Sequence, residues 1–568
     1  MFEKEAIKIL ENALKSLAVK AEELEKLKKK LEEEMEVPPQ PRFGDLSFPC
    51  FGLAKKLQYE REPQELANEI AEQAVIPESS PFNRIASMSG YVNFFVDWEN
   101  VSAKELKKIL KAGNRFGSST TNRGKTVVVD YSSPNPAHPI HVGSARTTFI
   151  GESLCRILAF TGYRVRRICY INDLGKQVAK LLWGYMKFAK GKKPDKKPDH
   201  WLLDIYVDAN RAVDAGEVEE LLRRCEAGDK KLLGIVKKLV NWCIQGFKTT
   251  YATIGIKFDE YLRESKFIQS SKRYVRSLIK KGVAKRLEDG AVLVELEKYS
   301  LPNTIILRSD GTGLYLTRDI AASLYKKKKY KPSLNIYVVG EDQKLHFKQQ
   351  FKILELLGHK KFAKACVHLS YSYVTLPSGK MSSRLGNVVL IDDVFEEAIK
   401  RVRAKYTKDE AIAKTVGVGA TIYSILKVEP NRQVVFKWDE VLKLEGNTGP
   451  YVQYAHTRCC GILEKAREKG YKIDLDFSVD KMLTIEKLLV RKLLQFPEVV
   501  AHAAVDLRPH YICNYAHELA SIFNNFYQQC PVLKAERERQ LRLAIVAATK
   551  VVLANSLNLM GIEPLEKM

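Results

Sequence analysis

No two of the ten cysteines in this sequence stand at metal-binding or redox spacing. Cys50, Cys155, Cys169, Cys225, Cys243, Cys366, Cys459, Cys460, Cys513 and Cys530 form no CxxC pair, and most lie in apolar or helical surroundings. That pattern implies buried reduced thiols, with neither a disulfide framework nor a zinc site. Uninterrupted apolar runs of ~18 residues are missing too, which excludes a transmembrane helix. Leu543–Ala554 comes closest, and Lys550 breaks it. The start, MFEKEAIKIL, lacks the apolar stretch of a signal peptide, so a cytoplasmic protein is expected. There is no Walker A sequence. Gly311-Thr312-Gly313 opens like a GxGxxG loop, but Leu316 takes the last glycine position. Acidic residues are in short supply, 68 against 93 Lys and Arg, a net charge of +25. Such an excess suits a polyanion, either nucleic acid or an acidic membrane surface. A solvated basic surface is the plain alternative.

What is present is ordinary globular material, 45% hydrophobic and 28% charged over 568 residues. At ~150 residues per domain, that length suggests roughly three to four domains. Residues 3–35 have the spacing of one long amphipathic helix, closed by Pro38-Pro39. The segment GYVNFFV at 90–96 alternates like a strand, so residues 1–120 are expected to form a small α+β domain. GSSTTNRG at 117–124 has linker composition. Then comes TVVVDY at 126–131, a Pro/Ser/Asn loop, helical spacing over His141–Phe160, and a strand at Val165–Ile171. That order is a βαβ unit, the seed of a parallel sheet. Further strands are expected at Leu334–Val339 and Ala365–Val374, with a helix near Leu345–Leu357 between them. The polar stretch at 186–255, which carries the KKPDKKP run at 192–198, is expected to be a helical surface insertion. From about residue 395 the pattern is helical. The expected fold class is therefore α/β: a Rossmann-like parallel-sheet domain at 121–394, the α+β domain before it and an all-α domain at 395–568 after it.

Two loops carry chemistry. Pro136–Ser144, PAHPIHVGS, lies where a parallel strand gives way to a helix. Free N–H groups and the helix dipole favour phosphate there. Gly143 allows close backbone approach, and His141 can donate to phosphate. His138 and His141 have no third ligand near in sequence, so no metal site is assigned. The second loop, SGKMSSRLGN at 378–387, also follows a strand, and its Lys, Arg and hydroxyl groups suit a polyphosphate leaving group.

Taken together these loops resemble the HIGH and KMSKS signatures of class I aminoacyl-tRNA synthetases, written here as HVGS and KMSSR. The surrounding segments are similar to the arginyl-tRNA synthetase family: VVVDYSSPNPAHPIHVGSARTTFIGE, CYINDLGKQ, FDEYLRES, GLYLTRDIA, VVGEDQKLHFKQ, SGKMSSRLGN, EGNTGPYVQYAHTR and the terminal GIEPLEKM. The resemblance spans the whole chain in family order. It implies ATP-dependent activation of L-arginine to arginyl-adenylate, then transfer to the 3′-terminal adenosine of arginine tRNA. Mg²⁺ would be carried mainly by the ATP phosphates. The partners implied are arginine tRNA, L-arginine and ATP, with no membrane and a monomeric state.

By the same resemblance, ATP would meet His138, His141, Gly143, Ser144, Lys380, Met381 and Ser382, with His141, Ser144 and Lys380 acting on the developing phosphate charge. Arginine would meet Asp130, Asn135, Glu264, Tyr315, Asp319 and Gln343. A guanidinium is planar and always charged, so paired carboxylates are the fitting partners. The tRNA would meet Tyr91 and Asn93 near the N-terminus and Tyr451, Tyr454, Arg458, Tyr515 and Met568 near the C-terminus. Aromatic stacking and Arg or Asn hydrogen bonds read single-stranded loops. Two positions depart from the family pattern. Ser144 replaces the last histidine of HIGH, and Ser383 replaces the second lysine of KMSKS. Where arginyl enzymes place a compensating lysine, this chain has His138. Arg384 and Lys344 are the other basic residues in reach of that task.

Overall fold

A computed structural model describes residues 2–38, 40–212, 215–375, 389–474 and 476–568. The chain forms two compact units. One comprises Met1–Phe116, Cys459–Glu498 and Ser521–Val552; the other comprises Gly117–Arg458, Val499–Ala520 and Leu553–Met568.

In the first unit, the strand Tyr91–Val96 lies between Leu46–Pro49 and Phe82–Met88, antiparallel to both. Phe48, Phe82, Phe94 and Val96 are buried, as the alternating pattern requires. The single helix expected over 3–35 is instead two, Glu3–Ser16 and Ala21–Glu34. Ala18 has φ 62, a left-handed conformation that no α-helix accommodates, and the chain reverses there. Apolar residues on both segments keep one periodicity, which is why the break is invisible to a spacing argument.

The second unit is built on a five-stranded sheet. Its order is Cys366–Tyr371, Leu334–Gly340, Thr126–Asp130, Arg164–Ile171 and Glu260–Arg263, and every pairing is parallel. Val127, Val128, Val129, Ile168 and Ile336 are fully buried, as expected of strands covered on both faces. The first strand in sequence is central, and the chain winds outward from it in both directions. The switch between Thr126–Asp130 and Leu334–Gly340 opens a crevice at the strands' carboxyl ends. The expected α/β class is thus observed. A separate antiparallel sheet, Ala284–Arg286, Val292–Val294 and Thr304–Leu307, adds to the strands read from the sequence.

The insertion folds as helices Pro198–Ala212, Ala215–Ala227 and Lys230–Thr253. Beyond the sheet, Ile391–Lys405 and Glu410–Leu426 begin the helical part. The helix Arg539–Met560 is long and apolar enough to cross a membrane, but most of it is buried inside the protein. All ten cysteines are buried.

Candidate active site

The crevice is an open cavity of about 880 Å³ at the carboxyl edge of the parallel sheet. Asp130, Asn135, Tyr315, Asp319 and Gln343 all line it, so five of the six residues assigned to arginine converge on one space. Each has a definite attachment. Asp130 ends the central strand, and its Oδ2 accepts from Lys326 Nζ at 2.7 Å. Asn135 donates to Gln177 and accepts at Oδ1 from Ala137 N at 3.0 Å, which shapes the loop that leads to His141. Asp319 Oδ2 lies 2.8 Å from His346 Nε2. Tyr315 starts the helix Tyr315–Tyr330, one turn before Asp319, and is half exposed to the cavity. A side chain at Gly175 would put its Cβ 2.5 Å from Tyr315 Oη, so a glycine is required where that phenol packs. Gln343 is exposed, and its amide donates to Asp342 at 3.1 Å.

Glu264 is not among the lining residues. It is fully buried, accepting from Arg318 Nε and, at 3.2 Å, from Asn172 Nδ2. Burial and the neighbouring charge of Asp319 push its carboxyl up to about 7 against the opposing pull of Arg318. Its field reaches the cavity, but its hydrogen bonds go to the protein's own guanidinium.

Among the cavity residues not singled out from the sequence are Tyr170, Lys326, His346 and Gln350. Tyr170 and His346 lie inside the segments CYINDLGKQ and VVGEDQKLHFKQ, so position in a matching segment was the available signal. Tyr170 presents a buried hydroxyl beside Asp319 but outside hydrogen-bonding geometry, and burial with the charges of Asp319 and Glu264 raises its phenol strongly. Lys326 is 1% exposed and lies 4.1 Å above the Tyr337 ring. The turn after the central strand holds Ser132 at φ 68 and Ser133 at φ 40. Two non-glycine residues in the left-handed region at a strand exit mark a tightly determined turn, the kind of strain that gathers at functional sites.

His141 caps the helix Val142–Phe160. Its Nδ1 accepts from Ser144 N at 3.2 Å, while Ser144 Oγ accepts from His141 N at 3.1 Å and donates to His141 O at 2.9 Å. The hydroxyl of Ser144 is therefore turned back onto the cap. A Cβ at Gly143 would lie 2.9 Å from the His141 ring, so glycine is needed for this cap as well as for ligand approach. Burial lowers the pKa of His141 and, with His141's charge, that of His138 to about 4. His138 is thus neutral at pH 7 and supplies no cation in place of a lysine. Lys380, Met381, Ser382, Ser383 and Arg384 lie outside the described residues; Lys344 is exposed beside Glu341, at 3.9 Å. On either side of that stretch the chain is anchored to the His141 helix. Val142 N donates to Val389 O at 3.1 Å, and the buried Arg146 donates to Ser372 O at 2.6 Å and Tyr373 O at 3.2 Å.

The residues assigned to tRNA divide by exposure. Tyr454 is 37% exposed, with the Arg458 guanidinium 4.7 Å over its ring, an arrangement open to a stacked base. Tyr451 is half-buried against His517, and Tyr91 is half-buried against Phe51. Two of the assigned side chains are buried. Asn93 is buried and accepts from Ser47 Oγ at 2.5 Å, and Tyr515 is buried in the helical interior. Each sits on the inward side of its element. Met568 is half-buried, and the tail before it is pinned where His456 Nδ1 donates to Leu565 O at 2.7 Å.

The family model described as tRNA synthetases class I (R), catalytic domain, matches residues 105–438. The Arginyl tRNA synthetase N terminal domain model matches 4–96, and the DALR anticodon binding domain model matches 452–568. An arginine–tRNA ligase of Clostridium perfringens is 37% identical over 553 residues, 95% of this chain and 96% of the relative. One from Clostridium beijerinckii is 36% identical over 576 residues, 99% of each. Among solved structures, an arginyl-tRNA synthetase of Thermus thermophilus superposes with a TM-score of 0.83 at 27% identity, covering 100% of both chains. With an arginine-type catalytic model over most of the sheet and helices, and relatives alike from end to end, the chain belongs to the arginyl-tRNA synthetases of class I.

Proposed function

We propose that this chain joins L-arginine to arginine tRNA, activating the amino acid with ATP to arginyl-adenylate and then transferring it to the 3′-terminal adenosine. The observation that carries the reading is the convergence of Asp130, Asn135, Tyr315, Asp319 and Gln343 on one cavity at the sheet's carboxyl edge, Asn135 belonging to the loop that leads to the His141-capped helix. Asp319, held by His346, offers a carboxylate to a guanidinium. Asn135 and Gln343 serve the amino-acid end. His141, Gly143 and the helix start take the nucleotide, with His138 packed behind them. Lys380, Met381 and Ser382 are assigned to the ATP phosphates on the family resemblance, and Ser144 supports the site through the cap. Catalysis is by positioning and electrostatics, with no covalent protein intermediate.

Mg²⁺ is assigned to the ATP phosphates. Asp199, His200 and Asp392 bring three ligand atoms together, but Lys197 Nζ lies 2.6 Å from Asp392 and 3.0 Å from Asp199, so that trio suits an ion-pair cluster and not a cation. We assign residues 1–120 to the outer corner of the tRNA, 121–394 to the chemistry, with its insertion at 186–255, and 395–568 to the anticodon. Tyr454 and Arg458 are the exposed candidates for stacking, with Tyr451 on the same helix, Tyr91 on the N-terminal sheet and Met568 assigned as further contacts. The protein is assigned as a cytoplasmic monomer.

Arginine-dependent ATP–pyrophosphate exchange, with and without tRNA, tests this reading. Exchange specific to arginine and charging of tRNA support it. Tight tRNA binding with no charging by any amino acid rejects it and identifies a catalytically silent tRNA-binding protein.

A further inference from the structure

The lysine run at 192–198 has the composition of solvated surface, yet Lys197 is not spent on solvent. Its Nζ donates to Asp199 Oδ2 at 3.0 Å, Thr250 Oγ1 at 2.8 Å and Asp392 Oδ2 at 2.6 Å. Asp392 is engaged on both oxygens: His200 Nε2 lies 3.0 Å from Oδ2, and Thr250 Oγ1 donates to Oδ1 at 2.9 Å. Lys197 immediately precedes one insertion helix, which Asp199 and His200 begin, and Thr250 belongs to another. Asp392 opens the helix Ile391–Lys405 of the sheet-bearing core.

The fit is built into the backbone. Asp199 is 0% exposed, and a Cβ at Gly246 would lie 2.1 Å from Asp199 Oδ1, so only glycine admits that carboxylate. Burial opposes the charge on Asp392, but hydrogen bonds from His200 and Lys197 outweigh it and hold the carboxyl down to about 2.

What the cluster grips lies directly against the nucleotide side of the site. Ile391 N donates to Ile140 O at 2.9 Å, and Leu390 bridges to His141. The same insertion helix reaches the other side of that loop, where Tyr206 packs edge-on against His138 with ring centroids 4.5 Å apart. The insertion therefore touches the loop before His141 and also grips the start of the helix whose N-cap, Leu390, bridges to His141.

We infer that Lys197, His200 and Asp392 are positioning residues for the nucleotide side of the active site, through which the helical insertion sets the place of His141. They do not touch the reacting atoms. The inference rests on the proposed synthetase activity.

The test uses the full-length chain in arginine-dependent ATP–pyrophosphate exchange with tRNA present, in wild type and in Lys197→Met, Lys197→Arg, His200→Gln and Asp392→Asn. A shift of the His141 loop by a fraction of an ångström raises the KM for ATP about ten-fold in Lys197→Met and Asp392→Asn, and leaves the KM for arginine within about two-fold. Lys197→Arg recovers most of the loss, because it keeps the charge. If Lys197→Met fails to fold, His200→Gln removes one bond to Asp392 and carries the same split on a smaller scale. Equal change in both KM values, or no change in folded variants, overturns the inference. Absence of exchange in the wild type instead overturns the functional reading on which it stands.

Discussion

Arg146 NH1 donates to the carbonyl of Ser372 at 2.6 Å across the interior of the sheet domain. The guanidinium is wholly buried and, among the described residues, meets no carboxylate at this distance; its other bonds go to the carbonyls of Tyr373, Glu429 and Arg432. Burial lowers its pKa to about 10, and it stays charged. Four backbone carbonyls thus solvate one cation, and the helix capped by His141 is tied to the chain on the far side of the sheet edge. Removing the donor leaves those carbonyls unsatisfied. Arg146→Met is expected to cost about 3 kcal/mol or more in urea unfolding, and Arg146→Lys to recover only part because it lacks the fork. A cost below ~1 kcal/mol in the methionine variant contradicts this account.

Ser144 provides a second test. Its hydroxyl satisfies the cap of the helix Val142–Phe160, so Ser144→Ala is expected to destabilise the protein by about 1 kcal/mol. Ser144→His loses the same cap, although it restores the family's usual residue. The sequence alone favours preserved or improved activation in Ser144→His; the cap predicts a lower melting temperature alongside it. Calorimetry on both variants separates the two effects.

A third prediction concerns pH. Glu264 is raised to about 7, so it is largely protonated at pH 6 and ionised at pH 8. A bound guanidinium favours the ionised form, so arginine binding releases a proton in this window. The KM for arginine is therefore expected to fall several-fold between pH 6 and pH 8. Asp319→Asn should raise that KM by about 100-fold at either pH, with little effect on the KM for ATP. A KM for arginine that is flat across the window would remove Glu264 from the binding field.

His138 gives a stability signature. Its folded pKa of about 4 lies below the ordinary value of 6.5, so the unfolded chain takes up a proton that the folded chain refuses. The neutral histidine's contribution is complete above pH 6.5 and is lost as pH falls toward 4, on the order of 3 kcal/mol. His138→Phe should flatten the dependence of Tm on pH across that range. Identical slopes in the variant and wild type would refute the assignment.

Local pattern made several features legible. The valine run at 127–129 announced a buried parallel strand, and the Pro/Ser/Asn loop before His141 announced a strand-to-helix exit. Both signals arise from short-range constraints on backbone and burial. Segment order marked Asp319, Tyr315 and Gln343, and they do share a cavity. The helix break at Ala18 was hidden because apolar spacing continues through it. Asn93 and Tyr515 looked available because residue type says nothing about which side of an element faces solvent.

By itself the sequence determined the chain's chemistry: the βαβ start, the two phosphate-suited loops and the acids placed for a cation. Only the tertiary structure decided how those groups are spent. Glu264 meets Arg318, Asp130 meets Lys326, and Lys197 leaves a surface-like run to clamp Asp392. The physical reason is range. Strand, helix and cap signals are carried by neighbours a few residues apart, whereas a buried charge takes whichever partner the folded chain delivers, here from 54, 196 and 195 residues away.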